Sequence, residues 1–191
     1  WYMDEPQAGP GVFSQYKVAK FAKQKVKVVL GGQGGDEIFI GYTRYLIAYY
    51  EKMLKRNIQS KGEYYNNVLN GITPNLYQLN GYEPMMQDFF AKGLFCEDNL
   101  RYYRLTDRFS SHETIFSKDY LSNKNDTFDK FNSIFSKYDT SIVNKMSYYD
   151  VKTFLPSLLH VEDRTSMANQ IESRVPLLDH RILEFAATIP P

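Results

Sequence analysis

Residues 25–42 read KVKVVLGGQGGDEIFIGY, and this stretch decides the fold class. Val26 to Leu30 form a short, β-branched apolar run that stops at glycines, which is the pattern of a buried β-strand. After Glu37, apolar residues recur every three or four positions, which predicts a long helix over residues 36–56. A strand that hands over to a helix through a glycine-rich loop is typical of α/β sheets, which bind ligands at the carboxyl ends of their strands. The sequence therefore predicts a ligand site in this loop.

The loop combines closely spaced glycines with two adjacent carboxylates. Its glycines are Gly31, Gly32, Gly34 and Gly35. Glycine lets the backbone approach a ligand and point amide groups at an anion. Asp36 and Glu37 would repel a phosphate there unless a divalent cation lies between them, which favours magnesium (Mg²⁺) with a nucleotide or pyrophosphate. The alternative is that two acids in a first helical turn only complement the helix dipole.

Three blocks of sequence resemble one family. The loop is neither a Walker motif nor G-x-G-x-x-G, because Glu37 stands where the last glycine belongs. Residues 31–45, GGQGGDEIFIGYTRY, instead resemble the S-G-x-G-x-D-E-x-F-x-G-Y segment in the synthetase domain of asparagine synthetases. Residues 155–190, LPSLLHVEDRTSMANQIESRVPLLDHRILEFAATIP, resemble that family's second block, which contains D-R-x-S-M-A and E-x-R-V-P. Asp4-Glu5-Pro6 resembles its D-E-P, whereas no motif matches between about 57 and 140.

The resemblance implies a fold and a reaction. The fold is a partial α/β domain, a remnant of the parallel sheet of PP-loop ATP pyrophosphatases (adenine-nucleotide-hydrolase-like) followed by a mostly helical region. Residues 1–191 would be one incomplete synthetase domain, with the nucleotide site in 1–56 and helices in 57–191. In the reaction, the side-chain carboxylate of aspartate attacks ATP, pyrophosphate leaves with magnesium, and ammonia from glutamine displaces AMP.

The resemblance also implies roles for individual residues. Asp36 would bind the metal, with Glu37 in or beside the same shell. The backbone of Gly31, Gly32 and Gly34 would lie against the nucleotide. The other expected nucleotide-binding residues are Tyr42 and Ser166, and the expected catalytic residues are Gln33, Asp163 and Arg164. Glu172, Arg174 and Asp179 are expected to have structural roles, the first two as an ion pair on an extended segment.

Two departures from the family pattern leave the reaction open. Gly31 stands where the family usually has Ser, and Gln33 stands where many members have an acid. An amide cannot accept a proton as a base, so Gln33 could only orient ammonia or the adenylate. One alternative is a related ligase that makes an amide or a lactam from another carboxylate. Another is an inactive fragment that serves as a binding or structural module.

Composition and the remaining patterns bound the other expectations. A net charge of +1 with scattered Lys and Arg gives no nucleic-acid footprint, and the longest apolar run is too short to span a bilayer. A lone cysteine suits a reducing cytoplasm. The family's S-G-G-x-D-S loop is absent, so we expect a longer parent chain that also carries a glutaminase domain; a homodimer is left open. Further helices are predicted over 13–24, 82–92, 127–138, 142–154 and 156–169, and a mobile loop over 117–129.

Overall fold

The computed structural model describes residues 1–5, 10–59, 73–91, 93, 95–107, 114–122 and 125–189. The α-helices of this part of the chain are α1 Gly11–Ala22, α2 Gly35–Ile38, α3 Thr43–Gln59, α4 Glu83–Ala91, α5 Asp98–Thr106, α6 Lys118–Ser122, α7 Asn125–Phe135, α8 Ile142–Thr153, α9 Leu155–Met167 and α10 His180–Thr188. The strands are β1 Val28–Leu30 and β2 Glu172–Arg174, and 3₁₀ turns span Thr73–Leu79 and Pro176–Leu178. The predicted fold class is confirmed: the chain is α/β, mostly helical, with a small parallel sheet.

The chain divides into two compact units. The first unit comprises Trp1–Gly41 and Ser147–Pro191, and the second comprises Tyr42–Met146. The predicted division at residue 56 stays a prediction. The first unit contains the sheet, in which β1 pairs with β2 in parallel, Val29 opposite Ser173. Helix α1 packs against α9, and α9 packs against β2.

The predicted strand is present but is not buried. Only Val28–Leu30 are extended, and the side chains of Val28 and Leu30 are 43% and 73% exposed. Because side chains alternate across a strand, Val28 and Leu30 lie on one face and Val29 on the other. Only the Val29 face is covered within this sheet, so the prediction of a buried strand is wrong. Apolar composition alone did not distinguish a strand covered on one face from one covered on both.

The predicted continuous helix over residues 36–56 is also wrong. Helix α2 stops at Ile38, and Ile40 adopts a left-handed conformation with φ of 61° before α3 begins at Thr43. The Gly41 N–H donates a hydrogen bond to the Asp36 carbonyl at 2.9 Å. This bond encloses six residues and closes the helix end, as in a Schellman motif. A β-branched residue rarely adopts positive φ, so the apolar periodicity gave no sign of the break.

The second unit has the larger apolar core of the two. Its fully buried side chains include Tyr45, Ile47, Tyr102, Phe135 and Met146. Tyr102 stacks on Phe135 at 5.4 Å between ring centroids, where α5 packs against α7. A buried ion pair joins the Arg101 guanidinium Nε to Glu51 Oε2 at 2.8 Å. This unit coincides largely with the region that carries no family motif.

The remaining predicted helices are present, with their ends shifted by a few residues; Lys92, the predicted end of 82–92, lies outside the described residues. The described part of the predicted loop over 117–129 is largely helical, because α6 and the start of α7 occupy it. That prediction is therefore wrong: a polar composition does not prevent an amphipathic helix, and α7 turns Phe131 and Phe135 inward. No helix among the described residues has the length and apolar character that crossing a membrane requires.

Candidate functional site

The glycine-rich loop leaves the sheet at the carboxyl end of β1. The Gly31 N–H continues the strand ladder by donating to the Arg174 carbonyl at 2.8 Å. Gly34 has φ of 88°, and a Cβ there would overlap the Leu178 side chain. Gly35 lies against Leu177, because a Cβ added at Gly35 would be 3.1 Å from Leu177 Cδ1. The loop therefore needs glycine at position 34 for both conformation and space, because the Pro176–Leu178 turn packs beneath it.

The two acids of the loop lie in different environments. Asp36 is exposed, and its carboxylate occupies the space that a Cβ at Gly41 would take. Glu37 is 1% exposed, and its carbonyl accepts a hydrogen bond from the Ser147 hydroxyl of α8 at 2.6 Å. Asp36 is thus the loop carboxylate available to a ligand in solution. Gln33 is half-buried on the same loop.

The carboxylates of the loop fit one mode of magnesium binding. Among the described residues, no three His, Cys, Asp or Glu side chains cluster closely enough to hold a metal ion. Magnesium bound with a nucleotide, however, commonly takes one or two protein carboxylates and completes its shell with phosphates and water. The exposed Asp36 carboxylate at the carboxyl end of β1 fits that mode of binding. Asp36 is therefore the residue that would hold the ion.

Helix α9 carries the predicted catalytic pair and contacts the D-E segment. Asp163 and Arg164 are both exposed, and an Arg164 guanidinium nitrogen lies 3.0 Å from Asp4 Oδ2. The ring nitrogen Nε2 of His160 lies 3.2 Å from the Met3 carbonyl oxygen, one helical turn away from Arg164. The structure therefore brings together two of the motif blocks, which lie far apart in the sequence.

The predicted nucleotide-binding residues Ser166 and Tyr42 both make local contacts. Ser166 is 4% exposed, and its hydroxyl donates to the Asp163 carbonyl at 2.9 Å within α9. Tyr42 belongs to the second unit, where its ring stacks beneath the Arg44 guanidinium at 3.8 Å. Both hydroxyl-bearing side chains thus have contacts within their own unit.

One carboxylate at the loop was not predicted from the sequence. Glu162, on α9, is half-buried, accepts a hydrogen bond from the Ser173 hydroxyl of β2, and fills the space that a Cβ at Gly31 would occupy. The signal that could have found it is the departure at position 31, because a glycine in place of Ser leaves room for another side chain. Position 162 itself falls on an unspecified position of the family pattern.

The acids near β2 have local structural roles. The predicted pair is confirmed, since Arg174 Nε lies 2.7 Å from Glu172 Oε1 on the exposed face of the strand. Asp179 caps α10 by accepting from the Arg181 N–H at 2.9 Å and binds the Arg181 guanidinium with both oxygens. The side-chain hydrogen bonds from Arg181 hold the pKa of Asp179 well below its ordinary value of 3.8.

Comparisons with known proteins agree with the three blocks. The family model described as asparagine synthase matches residues 1–191. Glutamine-hydrolyzing asparagine synthetase 1 of Bacillus subtilis is 30% identical over 203 residues, covering 100% of this chain and 29% of the relative. Asparagine synthetase 2 of the same organism is 26% identical over 193 residues, 100% of this chain and 21% of its own length.

A Gibberella zeae protein named as an amidase is 39% identical over 51 residues, 26% of this chain and 8% of that protein. No solved structure gave a significant match. The chain spans less than a third of the length of the relatives that it matches along its whole length. With the family model matching from the first residue to the last, the chain belongs to the asparagine synthase family.

Proposed function

We propose that this chain is part of an ATP-dependent asparagine synthetase. The enzyme adenylates the side-chain carboxylate of aspartate and transfers ammonia from glutamine, giving asparagine, AMP and pyrophosphate. The observation that carries the proposal is that one compact unit contains residues 31–41 of the loop block, Asp4-Glu5 and the described part of the 155–190 block, with the exposed Asp36 at the carboxyl end of β1. The names of the full-coverage relatives support the reaction class.

The candidate site residues of this chain are proposed to bind or orient the substrates. The backbone of Gly31, Gly32 and Gly34 is proposed to lie against the nucleotide, and of the three only Gly32 has open space where a Cβ would stand. Asp36 would hold magnesium, and the ion would supply positive charge to balance that of the departing pyrophosphate. Arg164, whose guanidinium lies 3.0 Å from Asp4 Oδ2, is proposed to bind the anionic phosphates or carboxylates of the substrates. Fixing these groups before reaction lowers the entropy cost of bringing aspartate to ATP.

The other predicted residues have proposed roles of their own. Gln33 orients ammonia or the acyl-adenylate by hydrogen bonds, since its amide donates and accepts without changing protonation. Asp163 is a second polar group on α9. Glu37, Tyr42 and Ser166 are the further candidates for nucleotide binding. The parent chain is proposed to be a cytoplasmic enzyme whose glutaminase domain releases ammonia, with no nucleic-acid or membrane partner.

Pyrophosphate exchange tests the proposal directly. The full-length protein that carries this chain should incorporate radiolabelled pyrophosphate into ATP when aspartate and magnesium are present. Asp36→Ala should abolish the exchange, whereas Asp139→Ala, which removes a fully exposed carboxylate from the second unit, should leave it intact. Absence of exchange in the wild-type protein would contradict the proposal.

A ligase that acts on another carboxylate is the second candidate. It is favoured by Gln33, which stands where many family members have an acid. The same exchange assay with a panel of amino-acid and β-amino-acid carboxylates distinguishes it, because the true substrate is the one that supports exchange. A purely structural module would show no exchange with any of them, and calorimetry would detect no binding of ATP with magnesium.

A further inference from the structure

Glu162 places a carboxylate at the base of the loop. Its Oε1 occupies the position that a side chain at Gly31 would take, and it accepts a hydrogen bond from Ser173. Gly31 directly follows β1, and its N–H still donates to Arg174 of β2. The carboxylate therefore lies at the carboxyl end of the strand, the edge at which α/β sheets bind their ligands.

The arrangement follows from strand alternation. Val29 and Gly31 project toward the same face of the sheet because they are two residues apart, and Ser173 lies opposite Val29. Helix α9 packs against β2, so a long side chain on α9 reaches this position only if residue 31 is small. Glu162, Ser173 and Gly31 thus form one arrangement, in which the missing Cβ makes room for the carboxylate.

The proposed reaction needs a proton acceptor near this loop. When ammonia attacks the acyl carbon of the adenylate, a carbon–nitrogen bond forms and the bond from that carbon to the AMP oxygen breaks. The electron pair leaves with AMP, and the nitrogen, now positively charged, must lose one proton to give the neutral amide. Gln33 cannot accept it, and Glu37 is buried at 1% exposure.

We propose that Glu162 is the catalytic residue that accepts this proton. The carboxylate takes the proton from the attacking nitrogen and then releases it to water, while Ser173 and the absence of a side chain at Gly31 fix its orientation. This role rests on the proposed function. Asp163 is the rival acceptor, because it is the next residue on α9 and is exposed. The two side chains point about 100° apart on the helix, so they are separable by mutation.

Two assays on the full-length protein separate adenylation from amide formation. The first is pyrophosphate exchange, and the second is amide formation from an ammonium salt, which bypasses glutamine. Glu162→Gln should lower amide formation by about 100-fold or more, the usual contribution of general base catalysis, and should lower exchange much less. Glu162→Asp should recover part of the loss. Glu184→Gln, an exposed acid on α10, is the matched control and should change neither rate.

Gly31→Ser provides a second test that leaves Glu162 in place. The added side chain must displace the carboxylate, so amide formation should fall, and the substitution should cause no further loss in the Glu162→Gln background. If the fold-losses of the two substitutions instead multiplied in the double variant, the two residues would act independently, which would overturn the arrangement.

Three outcomes would overturn the role of Glu162 while the proposed function stands. In the first two, wild-type exchange is normal. Glu162→Gln then either leaves amide formation unchanged or lowers both rates equally, and an equal loss indicates a structural role. In the third, Asp163→Asn and not Glu162→Gln would block amide formation. Failure of the wild-type protein to exchange pyrophosphate with any carboxylate would instead overturn the proposed function itself.

Discussion

The two units of the chain use charge and apolar surface in opposite ways. The second unit contains most of the buried apolar side chains, and the side chains of its Glu51–Arg101 pair are at most 3% exposed. In the first unit the ion pairs Arg164–Asp4 and Arg174–Glu172 are exposed, and Val28 and Leu30 of the strand face solvent. The unit with most of the motif residues is therefore the less well packed of the two, and the other unit has the larger apolar core.

This difference indicates where stability and binding reside. Burial of apolar side chains dominates the folding free energy, and removing one partner of a buried ion pair is costly, whereas exposed pairs contribute little. Substitutions in the second unit should therefore reduce stability, and polar substitutions at the loop should alter binding with little change in stability. The following predictions, in order of expected size, test that division of roles.

Arg101→Met should cost about 3 kcal/mol of unfolding free energy, because it removes the buried partner of Glu51 Oε2 and leaves Lys55, whose Nζ lies 3.2 Å from Glu51 Oε1, as the remaining cation. Denaturant unfolding measures the loss. Lys52→Met is the control: the Lys52–Asp98 pair has side chains 31% and 29% exposed, so its removal should cost less than about 1 kcal/mol. Equal losses for the two variants would remove the distinction between buried and exposed pairs.

Ile47→Ala should cost about 2–5 kcal/mol, because Ile47 is 2% exposed in the core of the second unit. Leu30→Ala should change stability by no more than about 0.5 kcal/mol, since Leu30 is 73% exposed in the first unit. Both are measured as shifts of the denaturant midpoint at constant slope. A large cost at Leu30 would show that the exposed face of the sheet is covered in solution.

Ile40→Gly should stabilise the chain by about 1 kcal/mol, because glycine adopts positive φ without the clash that a Cβ incurs. Gln170→Gly should gain less, since Gln170, with φ of 56° at the end of α9, is not β-branched. Ala168→Gly is the control and should destabilise by about 0.5–1 kcal/mol, because Ala168 has the right-handed φ of −58°. Thermal melts suffice, and a loss of stability in Ile40→Gly would show that the packing of the isoleucine outweighs its strain.

Asp179→Ala should lower the melting temperature slightly at neutral pH, because α10 loses its N-cap. The folded-state pKa of Asp179 lies below 3.8, so its contribution is complete above that pH and disappears as the pH falls through the lower, folded-state value. The difference between wild type and variant should therefore shrink only in strong acid. A difference that already vanished at pH 5 would contradict the depressed pKa.

The sequence predicted much of the fold and part of the candidate site. Five helices and the strand were found within a few residues because periodicity and punctuation are local signals. The break at Ile40 was not predicted, because the helical pattern of apolar residues continues through it. The hydrogen bond from the Gly41 N–H to the Asp36 carbonyl, which closes the helix, leaves no mark in that pattern. Glu162 escaped as well, because its importance depends on Gly31, more than a hundred residues earlier in the chain.

The sequence by itself determined the α/β class, the glycine-rich loop and the family, because these depend on residue types at short spacings. Only the tertiary structure decided which charges are buried, which strand face is open and which carboxylate lies at the loop. Those properties arise from contacts between distant segments: Asp4 meets Arg164, and Glu162 enters the space left by Gly31. Spacing along a chain can suggest a site, but packing decides which side chains reach it.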